Sequence, residues 1–234
     1  MENPGIEIAW GGGIWRKNHR RVVEQSVLDA TELAEYGVEM LDIRYQEPKT
    51  MTVWRVAKHE PTAGVSYSAR EFDLHIPVHH IKHRKIARQF ASLTMTVIHE
   101  MTHSIRSEEF KSEHLLECAA TEGLAYMSED LLSSEILLYD ELSFNGEHAF
   151  IEHGLEYNTV KKRLINANEV SLDDDDRYNR EHAHWFGPGH EIMGAVLGIN
   201  EVCRRLSEGN EFSDLMHWPA EEILDIGNTS KLHY

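Results

Sequence analysis

Apolar side chains change their period along the chain. Ile6, Ile8 and Trp10 alternate with polar neighbours up to Gly11-Gly12-Gly13, which predicts a short strand and a turn. Val22, Val23, Val27, Ala30, Leu33 and Ala34 then follow a helical period. They predict a helix over residues 17–36 with Gly37 at its C-cap. Residues 38–45 and 51–57 read as strands on either side of a turn at Glu47-Pro48-Lys49. Residues 65–78 read as one more extended stretch, whose Ser, Arg, Glu and Asp content suits an edge strand.

From residue 82 onward the period is helical. Ile86, Phe90, Leu93, Val97, Ile98, Met101 and Ile105 cover more than one helical face, so a helix over residues 82–105 is expected to be buried on most sides. Further helices are predicted over residues 112–132, 147–167 and 190–206, with short pieces near 212–217 and 220–226. Residues 168–189 read as a polar segment carrying the acidic run Asp173 to Asp176. The expected fold class is α+β. It forms one domain over residues 1–234, with an α+β lobe (1–105) and a mainly helical lobe (106–234).

Charge narrows the function. There are 23 basic and 40 acidic side chains, a formal net charge of −17. That balance argues against nucleic acid and anionic membrane as partners, because phosphates need Lys and Arg. Cys118 and Cys203 are too few for a disulfide framework or a cysteine-based zinc cluster. The N-terminal residues show no basic-then-apolar leader, and no apolar run is long enough for a membrane helix; the expectation is a cytoplasmic protein. Histidine is the unusual component. Its count of 16 is about three times an ordinary share and directs attention to metal chemistry.

That chemistry centres on Val97-Ile98-His99-Glu100-Met101-Thr102-His103, an H-E-x-x-H on the helix expected to be buried. Residues four apart lie one turn apart on one helical face, so His99 and His103 can hold a single zinc ion through neutral imidazoles. Glu100 falls beside them, within reach of a bound water. The setting supports the motif. Two imidazoles and a carboxylate among Leu93, Val97, Ile98, Met101 and Ile105 cost several kcal/mol to bury unless they are paired or coordinate a metal.

A catalytic zinc site takes a third protein ligand and keeps one position open. The metzincin spacing fails, because Arg106 and Glu109 stand where Gly and His are needed. No cysteine precedes His99. Glu117 and Glu122 on the next helix remain, pointing about 140° apart. Glu122 is favoured, because Ala119, Ala120, Gly123 and Ala125 around it allow close helix approach. It lies nineteen positions after His103.

H-E-x-x-H followed at this distance by Glu resembles the gluzincin metallopeptidases. The run from His99 to Arg106, with Leu116-Glu117-Cys118-Ala119-Ala120-Thr121-Glu122-Gly123-Leu124-Ala125, is similar more narrowly to a family of uncharacterised bacterial predicted zinc-dependent proteases with an E-G-L-A helix. The resemblance implies a zincin-like fold, His99, His103 and Glu122 as zinc ligands, Glu100 as catalytic acid–base, and a peptide or protein substrate. It also implies that an exposed sheet edge near residues 72–76 aligns the substrate. Tyr126 stands where thermolysin-like members carry an acid that orients a zinc histidine. A catalytically silent, metal-stabilised binding protein on the same fold is the alternative.

An oxyanion needs its own donor. His190 is the candidate, since it begins a helix after Gly187-Pro188-Gly189 and shares a face with Gly194 and Gly198. His75, His79, His80 and His83 form a second cluster, read as a solvated helix start. His182 and His184 are read as loop residues, and Asp173 to Asp176 as a solvated loop rather than a calcium site.

Overall fold

The computed structural model describes residues 7–12, 16–43, 50–56, 63–68, 71–76, 86–107, 109–110, 114–132, 157–171, 175–186 and 193–226. Among these residues the architecture is α+β: helices and one small mixed sheet of four strands. The chain divides into two compact units. One comprises residues 1–108 and 131–140, the other residues 109–130 and 141–234.

The first unit holds the sheet. Its elements are β1 (Glu7–Gly11), α1 (Lys17–Met40), β2 (Thr50–Arg55), β3 (Ala63–Ser68), β4 (Glu71–Ile76) and α2 (Ile86–Ser107), and the strand order is β1-β2-β4-β3. β1, β2 and β4 are parallel, whereas β3 pairs antiparallel with β4. Alternation puts Met51 and Val53 on one face, in register with Phe72 and Leu74, and all four are buried. Helix α2 lies against β3 and β4, and α1 packs on α2. The core face of α1 is Val23, Val27, Ala30, Ala34 and Val38, each almost wholly buried. On the sheet's other face the Trp54 Nε1–H donates to Asp73 Oδ2 at 2.7 Å, which satisfies a carboxylate that is itself buried.

Two expectations for this unit are corrected. Residues 38–40 are helical rather than the start of a strand, because Val38 continues the four-residue spacing of Ala30 and Ala34. Gly37 therefore lies inside α1. A Cβ there would stand 2.7 Å from Leu132 Cδ1, so it admits a neighbouring side chain rather than ending the helix. The left-handed residue is Asp42, φ 52°. Residues 65–78 are not one edge strand either. The edge is β3, and β4 lies between β2 and β3 with Phe72, Leu74 and Ile76 buried.

The second unit is helical among its described residues. It contains α3 (Leu115–Leu132) up to residue 130, α4 (Tyr157–Ser171), α5 (Asp175–Phe186), α6 (Met193–Ser207), α7 (Phe212–Leu215) and α8 (Ala220–Ile223). Helices α4, α5 and α6 pack on one another, and α6 packs on α8. The stretch 168–189, expected to be a polar segment, is helical over most of its length. Its polar residues Asp176, Asn179 and Arg180 are exposed, while Trp185 is buried.

Helices α3 and α6 meet backbone to backbone. A Cβ on Gly198 would stand 1.8 Å from the Ala119 carbonyl oxygen, and one on Gly123 would stand 2.3 Å from the Gly198 carbonyl carbon. Main chain cannot yield as a flexible side chain does. Gly198→Ala is therefore expected to destabilise by about 1–3 kcal/mol or more, read as a lowered midpoint of urea unfolding. Ala195→Gly on the same buried face creates no such clash, so it separates the contact from general helix propensity.

Candidate metal centre

Helix α2 presents the first two donors. Its Leu93, Met95, Val97, Ile98 and Met101 are buried, and Thr102 Oγ1 donates to the Ile98 carbonyl at 3.0 Å. This packing fixes the helix's rotation and leaves His99 and His103 half-buried on adjacent turns. Their Nε2 atoms lie 3.0 Å apart, with ring centroids 4.8 Å apart and planes tilted by 45°. One ring nitrogen of each histidine thus faces that of the other across adjacent turns of the helix.

Glu100 is buried at 6% exposure. Its side chain rests against β3, where a Cβ on Gly64 would stand 2.3 Å from Glu100 Cγ and 2.5 Å from Oε1.

On α3 the two candidate carboxylates differ. Glu117 is buried and accepts a hydrogen bond from Thr121 Oγ1 at 3.3 Å. Glu122 is half-buried. One carboxylate oxygen of Glu122 and one ring nitrogen each of His99 and His103 all lie within 4.8 Å of one another, a grouping that could hold a metal ion. Glu117 does not join a group of that kind among the described residues.

His182, read from the sequence as a loop residue, is helical instead. It lies on α5, half-buried, with its ring 5.2 Å from that of Phe186. Burial pushes its imidazole below the ordinary histidine range, and the negative charge of Glu122 opposes that shift in part. A histidine in a polar stretch gives no pattern signal, and only the helical fold of α5 sets it near a carboxylate. His184, two residues on, is exposed and meets Trp185 edge-on.

His190 lies outside the described residues, as do His79, His80, His83, Asp173 and Asp174. His75 lies on β4, tilted against the Trp54 ring at 6.4 Å. Asp175 and Asp176 begin α5. Tyr126 is half-buried on α3. Among the described residues, no helix is long and apolar enough to cross a membrane.

No family model matches this chain, and no curated protein or solved structure matches it.

Proposed function

We propose that the protein is a zinc metallopeptidase of zincin-like fold, with His99, His103 and Glu122 as metal ligands and Glu100 as acid–base. The observation that carries this is the His99–His103 pair, whose Nε2 atoms face each other at 3.0 Å one helical turn apart. Two ligands at about 2.0–2.1 Å from a tetrahedral ion stand about 3.3 Å apart, so the pair is close to the spacing zinc requires. Two imidazoles and a carboxylate are also a donor set that zinc favours, and they leave a fourth position open.

Bound there, zinc would polarise a peptide carbonyl and acidify a water. The chain's own residues supply the rest. The Glu100 carboxylate, held on the β3 backbone, accepts the proton of the attacking water and hands it to the leaving amine. β3 is one of the two outer strands and, among the described strands, pairs on one side only, with β4, so its other edge can hydrogen-bond an extended peptide without selecting side chains.

The test is metal analysis of the purified chain together with hydrolysis of fluorescein-labelled casein before and after chelation. About one zinc per chain and activity that chelation abolishes and added zinc restores are expected. Replacing His103 by Ala is expected to weaken zinc binding by more than the roughly 10–100-fold typical of losing an outer partner. Zinc binding unaffected by His103→Ala would count against the site.

A further inference from the structure

Glu100 does not stand beside β3 by side-chain packing alone. β3 is one of the two outer strands of the described sheet, and Gly64 on it pairs with Leu74, a residue of the face that α2 covers. A side chain at 64 would therefore point at α2. The three nearest atoms to a Cβ built there all belong to Glu100: Cγ at 2.3 Å, Oε1 at 2.5 Å and Cδ at 2.6 Å. Real Cβ atoms do not come so close to other heavy atoms. The residues on either side, Ala63 and Val65, are exposed and point the opposite way.

We propose that Gly64 is the positioning residue for Glu100: the Glu100 carboxylate occupies the volume that any side chain at 64 would fill. The strand's main chain thereby forms one wall of the acid–base site. Glycine at this position serves close approach rather than a turn. A methyl group there leaves Glu100 two outcomes. It can rotate its carboxylate away from the open metal position, or it can push β3 outward. Either one separates the proton acceptor from the strand beside it. The catalytic half of this inference rests on the peptidase reading; the packing half does not.

The experiment is a double-mutant cycle read by thermal unfolding, with Gly64→Ala introduced into three backgrounds: wild type, Glu100→Gln and Glu100→Ala. Gln keeps the length of Glu, so Gly64→Ala is expected to lower Tm on the order of 5 °C in both wild type and Glu100→Gln. In Glu100→Ala the obstructing atoms are gone, and the loss is expected to shrink to near zero. Equal losses in all three backgrounds would overturn the proposal. If Glu100→Ala does not fold, Glu100→Ser serves as the short background. A Gly64→Ala chain that folds only together with the shortened residue is the same positive result.

The catalytic half is read on the best-cleaved member of an internally quenched peptide library. Gly64→Ala is expected to keep its zinc and its KM while kcat falls about 10–100-fold. A raised KM at unchanged kcat, or zinc lost along with activity, would overturn the positioning role. Should the wild type hold no zinc and cleave no peptide, the peptidase reading fails, and the unfolding cycle still decides whether Gly64 sets Glu100.

Discussion

On the proposed zinc-peptidase reading, Glu100→Gln is expected to leave zinc bound and to cut hydrolysis steeply. The amide has the shape of the carboxylate and still fits against Gly64, so the helix and the His99–His103 pair stay as they are. What it loses is basicity. An amide cannot take a proton from water or return one to a departing amine, and positioned acid–base groups contribute about 10²–10⁴-fold. The expected measurement is unchanged zinc per chain, Tm within a few degrees of wild type, and casein hydrolysis reduced by about that factor. Undiminished hydrolysis would remove Glu100 from the mechanism. A protein that holds zinc with equal affinity in both forms, and hydrolyses nothing in either, would be the silent metal-stabilised alternative.

Glu201→Gln is the other change with a large expected effect, this time on stability. Glu201 is 1% exposed in the helical unit. Its carboxylate takes Lys161 Nζ at 2.5 Å and Arg204 Nε at 2.8 Å. Tyr157 also hydrogen-bonds to it, and burial, then that bond and its charge, push the phenol well above the ordinary tyrosine range. Lys161 is buried as well, on α4, while Arg204 reaches further toward solvent and also meets Glu208 and Asp225. Neutralising Glu201 leaves Lys161 a buried cation without its anion, which costs about 3–5 kcal/mol. Replacing both, as Lys161→Met with Glu201→Leu, is expected to recover most of that loss, because burying the pair was itself costly. Urea unfolding of the single and double variants checks both statements. A double variant as unstable as the single would mean that the polar cluster is more than charge compensation.

What could be read from the sequence follows from what its patterns encode. The α2 helix was legible because Leu93, Val97, Ile98 and Met101 repeat at helical spacing and are in fact buried. That period also placed His99 and His103 on one face. Alternation revealed strands, but it carries no information about which strand pairs with which. So β4 could be taken for an edge although it has neighbours on both sides. Gly64 was invisible for a different reason: a missing side chain contributes nothing to a hydrophobic pattern, and its role depends on a helix that arrives many residues later. Helix α5 was missed because Asp176, Asn179 and Arg180 are polar and exposed, while Trp185 is buried and Phe186 packs against Gly194. Its place in the helical unit is what brings His182 near Glu122.

The glycine contact between α3 and α6 bears on how this unit could be engineered or could drift. Glu122 immediately precedes Gly123, so the axis that carries it is held by main chain meeting main chain, not by the shapes of exchangeable side chains. Val196, Leu197, Ile199 and Val202 on α6 are buried and can be shuffled among apolar residues of similar volume at modest cost. Positions 123 and 198 have no such freedom. A combinatorial library over the α6 core should therefore return many sequences at the first set of positions and almost only glycine at 123 and 198. The reach of the carboxylate would then stay constant while the interior behind it turns over.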